Sequence, residues 1–171
     1  MTTPYLVADI GRDEALAKLR PDGLVESYPD PLSPLAKALR AGKPTAGLSG
    51  APWTIGYGET GAGIGPGLVW TQAQCEDARA ASIAKAKARL DAGLPWWRQL
   101  DDARQDVMVN LAFNLGEAEL ATWKHTLADI QAGRFKAAEI DLENDQPWAS
   151  QVRARAQRLA LQMETGVRQQ P

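Results

Sequence analysis

Residues 52–61 read Pro-Trp-Thr-Ile-Gly-Tyr-Gly-Glu-Thr-Gly. Thr54, Ile55 and Tyr57 suit a strand, while Gly56, Gly58 and Gly61 divide it into short, tight pieces. Glycine at alternate strand positions leaves one face bare, so a neighbouring helix or a ligand can come close to the backbone. Upstream, Leu24 to Tyr28 reads as a short strand closed by Pro29-Asp30-Pro31, and downstream Leu68-Val69-Trp70 reads as another. Residues 31–50 are rich in Pro, Gly, Ala and Ser, with a helical patch from Leu35 to Leu39, and are expected to form a long loop. Residues 20–70 together are therefore expected to form a small β-rich lobe.

The flanking segments are helical by pattern. The first helix is expected over residues 1–19, with Leu6, Val7, Ile10 and Glu14 on one face and Asp13 beside it, before Pro21-Asp22-Gly23 breaks it. Thr71-Gln-Ala-Gln74 fits a capping box that opens a connecting helix over residues 71–92. Residues 93–171 are expected to be all helical. Val107, Met108, Leu111, Ala112 and Leu115 form one stripe there. Val152, Ala156, Leu159, Ala160 and Met163 form another, capped by Ser150 and ended by Gly166. The fold class is α+β: a small β-rich lobe joined by a long helix to a larger all-α lobe, within one domain over residues 1–171.

Composition narrows the function. The chain has 19 basic and 21 acidic side chains and a net charge of −2, which argues against a general nucleic-acid binder. A single cysteine, Cys75, forms no internal disulfide, and one histidine, His125, makes a histidine-rich metal site unexpected. The N-terminal residues lack the basic region and apolar core of a signal peptide, and no apolar run approaches the ~18 residues of a membrane span. Folding in a reducing cytoplasm is the expectation.

Three segments then align in order: Arg12-Asp13-Glu14-Ala15, Ser27-Tyr28-Pro29-Asp30 and Thr54-Ile55-Gly56-Tyr57-Gly58. A fourth, Asn110-Leu-Ala-Phe-Asn-Leu-Gly116, is followed by Trp148, Arg155-Ala-Gln-Arg158 and Thr165-Gly166. Together they resemble the phage-type lysozymes of glycoside hydrolase family 24, to which T-even phage lysozyme belongs. The resemblance covers essentially the whole chain. It implies a lysozyme-like fold with a cleft between the lobes, and an endolysin that cuts the β-1,4 bond between N-acetylmuramic acid and N-acetylglucosamine in peptidoglycan.

The family's catalytic roles fall on Glu14, Asp30 and Thr54. Glycoside hydrolysis uses two carboxyl groups across the scissile bond, one donating a proton and one activating water or stabilising charge. A Glu at the end of a buried helix suits the first task and an exposed Asp at a strand end suits the second, with the Thr hydroxyl orienting the water. Tyr28, Gly56, Tyr57, Glu59, Phe113, Asn114 and Thr126 are the expected substrate-binding positions.

The sequence departs from the family in having Ala15 for Gly, Glu59 for the usual His, and longer intervals before Tyr28 and between Asp30 and Thr54. Asp22 and Glu26 are the alternative acids, since Asp22-Gly23 imitates the family's Glu-Gly pair closer to Tyr28. Trp53, Trp70, Trp96 and Trp97 are candidates for sugar stacking. The basic run Arg153, Arg155, Arg158 and Arg168 reads as a solvated helix face or as a surface for anionic wall or membrane polymers. The resemblance further implies no metal and no cofactor, a monomer without stable membrane insertion, and a holin for release. The protein would stay in the host cytoplasm until release and then act in the periplasm and cell wall. A catalytically inactive glycan-binding or structural phage domain and a lytic transglycosylase are the rival functions.

Overall fold

The computed structural model describes residues 2–144 and 148–169, and the protein is mixed α+β. It divides into two compact units, one comprising Met1–Asp13 with Ser82–Pro171, the other Glu14–Ala81.

The second unit carries the strands. β1 (Leu24–Glu26) pairs antiparallel with β5 (Val69–Thr71), with Val25 opposite Trp70. β2 (Tyr28–Pro29), β3 (Trp53–Ile55) and β4 (Glu59–Thr60) form an antiparallel sheet in which Thr54 faces Tyr28 on one side and Thr60 on the other. Val25, Ile55, Tyr57 and Cys75 make its buried cluster, flanked by Leu16, Ile64, Leu68 and Trp70. The expected loop over 31–50 contains an ordered helix, α2 (Pro34–Arg40), whose N-cap Ser33 accepts from the Ala36 amide.

The first helix is shorter than the expected 1–19. α1 spans Pro4–Glu14, because Ala15 turns into the left-handed region (φ +38°) and the following chain pairs elsewhere. Leu19 bridges Val25, and the Arg20 amide donates to the Leu24 carbonyl (2.7 Å), so Pro21-Asp22-Gly23 is the turn of a small hairpin onto β1. The capping box forms as expected: Gln74 N donates to Thr71 Oγ1 (3.2 Å) and Thr71 N to Gln74 Oε1 (2.8 Å). α3 then runs from Gln72 to Gly93.

The helical unit follows as α4 (Asp102–Leu115), α5 (Glu117–Leu120), α6 (Lys124–Gln131), α7 (Phe135–Asn144), α8 (Trp148–Val152) and α9 (Ala154–Thr165). Its core draws on Leu6 and Ile10 of α1, Val107, Met108 and Leu111 of α4, and Leu159 and Met163 of α9. Gly166 closes α9 in the left-handed region (φ +67°), the helix stop its position predicts. Ser150, expected to cap the last helix, lies inside α8 instead, and the break between α8 and α9 falls at Arg153 (φ +29°).

The basic run is also not a solvated face. Arg155 Nε and Nη2 donate to Asn110 Oδ1 (2.9 and 2.7 Å), and Asn110 Nδ2 donates to Asp9 Oδ2 (2.7 Å). Arg158 pairs with both Asp9 (3.1 Å) and Asp13 (2.6 Å). Asp9, Asn110 and Arg155 are buried. Burying charge is tolerated only when each partner is satisfied, and here α1, α4 and α9 supply the partners for one another. Arg168 pairs with the buried Asp106 (2.9 Å), and only Arg153 of the run is exposed and outside an ion pair among those described.

Candidate active site

The β3–β4 turn is where the candidate residues gather. Gly56, Tyr57 and Gly58 form the turn, and Gly56 (φ +64°) and Gly58 (φ +101°) adopt backbone angles that side chains resist. The bare face of Gly56 is filled from within the unit. A methyl group there would lie 2.8 Å from Glu59 Oε2 and 3.3 Å from Cys75 Sγ. A methyl group at Gly58 would lie 3.6 Å from Glu14 Oε2. The close neighbours that the alternate glycines accommodate are therefore two carboxylates and a helix thiol.

Glu14, the last residue of α1, thus lies against this turn. Tyr28 and Thr54 are cross-strand partners. Burial pushes the Tyr28 phenol above its usual range, the Glu14 carboxylate adds to this, the nearby Thr54 hydroxyl opposes it, and Glu59 adds a smaller push. Glu14, Tyr28, Thr54 and Glu59 therefore form one polar cluster on a half-buried surface.

Glu59 is tied to its own turn. Its Oε2 accepts from the Tyr57 amide at 2.8 Å. Burial raises its carboxyl, two backbone hydrogen bonds oppose the rise, Glu14 adds to it, and Arg79 works against it. Tyr57 does not present its ring to solvent. It is buried, its hydroxyl donates to Glu76 Oε1, and the Arg79 guanidinium lies 4.2 Å over the ring centre. Arg79 and Glu76, one turn apart on α3 and paired with each other, are site-supporting residues that the sequence reading passed over. Their i,i+3 spacing after Cys75 was the available signal.

Asp30 follows β2 directly, two residues beyond Tyr28. Its Oδ1 accepts from the Leu32 amide (2.6 Å), and its own amide donates to the Pro52 (2.8 Å) and Gly50 (3.1 Å) carbonyls. This pins the carboxyl beside β3 while Oδ2 has no hydrogen-bond partner among the described residues. The alternative acids are placed differently. Asp22 sits in the exposed turn before β1, ion-paired with Arg20 (2.8 Å), and accepts from the Leu24 amide. Glu26 is exposed on β1.

The remaining expected contacts lie in the helical unit. Phe113 packs against its core, and Asn114 Oδ1 accepts from Trp148 Nε1 at 2.8 Å. Trp148 meets Trp123 edge to face, with ring centres 5.2 Å apart. Thr126 is buried and its hydroxyl donates to Asp141 (3.3 Å). Of the candidate stacking tryptophans, Trp97 is buried with its indole N–H on Asp91 (2.9 Å), while Trp53, Trp70 and Trp96 are half-buried.

The phage lysozyme family profile matches residues 37–158. The match takes in Thr54, the Asn110–Gly116 motif, Trp148, Arg155 and Arg158, and starts after Glu14 and Asp30. A search of curated proteins finds no match. A profile match over most of the chain, on a mixed α+β fold with the family's motifs in order, leads to one conclusion: the chain belongs to the phage lysozyme family.

Proposed function

We propose that the protein is an endolysin muramidase that hydrolyses the β-1,4 bond between N-acetylmuramic acid and N-acetylglucosamine in bacterial peptidoglycan. The observation that carries this reading is the placement of Glu14 Oε2 against Gly58 of the Thr-Ile-Gly-Tyr-Gly turn, beside Tyr28 and Thr54, in a chain of the phage lysozyme family. Glu14 donates the proton to the leaving glycosidic oxygen. Asp30 Oδ2 takes the proton of the attacking water or faces the positive charge developing on the sugar ring. Thr54 orients that water, with Tyr28 opposite it across the strand pair. Asp22, held by Arg20 in an exposed turn, has no part in this scheme. The protein acts as a monomer, accumulates in the host cytoplasm and reaches the wall through a holin lesion.

Clearing of outer-membrane-stripped Gram-negative cells tests the assignment. Glu14→Gln and Asp30→Asn should slow clearing by about 10²–10⁴-fold, the usual worth of a general acid or base, whereas Asp22→Asn should clear like the parent. Glu14→Gln clearing at the parental rate would remove Glu14 from the mechanism. Products bearing 1,6-anhydro ends instead of reducing ends would replace hydrolysis by transglycosylation.

A further inference from the structure

We propose that the 31–50 segment is a docking surface for an anionic lipid bilayer, separate from the wall-cutting reaction. The segment carries Lys37, Arg40 and Lys43, three of the chain's 19 basic residues, and none of its 21 acidic ones. In a protein of net charge −2 this is a local concentration of positive charge. All three cationic side chains belong to exposed residues.

The same segment exposes three leucines: Leu32 at 74%, Leu39 at 58% and Leu48 at 39%. Backbone and side-chain hydrogen bonds tie the segments that carry them to α2. Arg40, in the last turn of α2, donates through Nη2 to the Pro31 carbonyl (2.6 Å), next to Leu32. The Leu35 amide donates to the Ser49 carbonyl (3.0 Å), which holds the Leu48 turn against the start of the same helix. Leu35, with Ala36 and Ala38, faces inward. A methyl group on Gly50 would collide with Leu35 Cδ2 at 2.9 Å, so the underside of the helix packs closely on the Gly50 backbone. The leucines that remain outside are surplus to that packing.

The chemistry of the patch selects its occupant. Residues 31–50 contain no aromatic residue and no Asn or Gln, so the segment lacks both the flat faces and the amides that grip sugars. Protein interfaces favour aromatic residues and Arg and deplete Lys. Leucines surrounded by Lys and Arg match a bilayer surface, where the apolar tips enter the headgroup boundary and the cations meet lipid phosphates. Asp30 borders the patch, and its carboxylate is engaged by the Leu32 amide. No described helix is long and apolar enough to cross a membrane, so the contact is peripheral.

Cosedimentation of the full chain with vesicles tests this. The parent should bind phosphatidylglycerol/phosphatidylcholine vesicles and leave pure phosphatidylcholine vesicles, and raising NaCl from about 0.1 M to about 0.5 M should release it. Lys37→Gln with Lys43→Gln should weaken binding by about 30-fold, at the worth of two cations near an anionic surface. Leu39→Ser with Leu48→Ser should weaken it by about tenfold or more. Both pairs should keep the parental unfolding midpoint and clear stripped cells at the parental rate, which separates this test from that of the muramidase reading. Equal sedimentation with charged and neutral vesicles would overturn the proposal. So would lysine-dependent binding to purified wall sacculi with no binding to vesicles, because the patch would then be a wall anchor.

Discussion

Replacing Gly56 by alanine tests how the turn holds its carboxylates. The new methyl group would sit 2.8 Å from Glu59 Oε2 and 3.3 Å from Cys75 Sγ. The left-handed backbone (φ +64°) costs an alanine about 1–2 kcal/mol. Cys75 is buried on α3 and does not yield, so the Glu59 carboxylate must move. That movement breaks its 2.8 Å hydrogen bond from the Tyr57 amide, a charged bond worth about 1.5–3 kcal/mol. The stiffer unfolded chain returns about 0.4–1 kcal/mol, leaving a net cost of about 2–4 kcal/mol. Gly63→Ala is the control: its φ is +86° but nothing lies within 4 Å of the added methyl, so it pays the backbone cost alone. Urea denaturation of the parent and both variants measures the difference. A Glu59→Ala background completes a double-mutant cycle, in which Gly56→Ala should lose about 1.5–3 kcal/mol of its penalty because the carboxylate is already gone. Equal costs for Gly56→Ala and Gly63→Ala, or an additive cycle, would refute the claim that the turn is built around Glu59.

Two further outcomes follow from the charged groups. Asp9→Asn removes the carboxylate shared by Arg12, Arg158 and Asn110, and should cost about 3–5 kcal/mol, a fall in Tm of about 6–20 °C by calorimetry. A loss below about 1 kcal/mol would show the network to be dispensable. Glu59 has its carboxyl raised above the usual 4.5, mainly by burial, so the folded state prefers it protonated. Its contribution is fully present below the unfolded value and is lost as pH rises through the folded one. Glu59→Gln should therefore gain Tm relative to the parent on going from about pH 4 to about pH 7.5. A gap that stays flat, or shrinks with rising pH, contradicts the assignment.

The elements that could be read from sequence are those whose signals are local. The Thr71–Gln74 capping box and the Gly166 helix stop each declare themselves within a turn or two, whereas α4, read as a one-sided stripe, is buried without a break from Asp106 to Ala112. What escaped depends on partners far away in the chain. The helical pattern after Glu14 runs on without a breaker until Pro21, yet α1 stops because Leu19 finds Val25. Arg155 and Arg158 look like surface charges until Asp9 and Asp13, about 145 residues earlier, are brought beside them. The alternate glycines announced a close approach, but not that the neighbours would be Glu14, Glu59 and Cys75. Tyr57, expected against substrate, is drawn inward by Glu76 and Arg79, which lie on a different element. For the candidate acid, spacing from Tyr28 leaves Asp22 and Glu14 in competition. They differ in surroundings: Asp22 has an arginine in solvent, and Glu14 has the glycine turn.

The small buried cluster of the Glu14–Ala81 unit has a consequence for amide exchange. Val25, Ile55, Tyr57 and Cys75 are all that it encloses, and its strands are two or three residues long. The helical unit buries far more apolar surface around α4 and α9. Protection against solvent deuterium scales with what must be exposed to open a segment. The amides of Tyr28, Thr54 and Tyr57 should therefore exchange through local openings, well before those of Val107 or Leu159. Thr54 and Tyr28, the strand residues of the proposed site, then belong to a weakly protected sheet, so their geometry rests on a few cross-strand bonds rather than on a deep core.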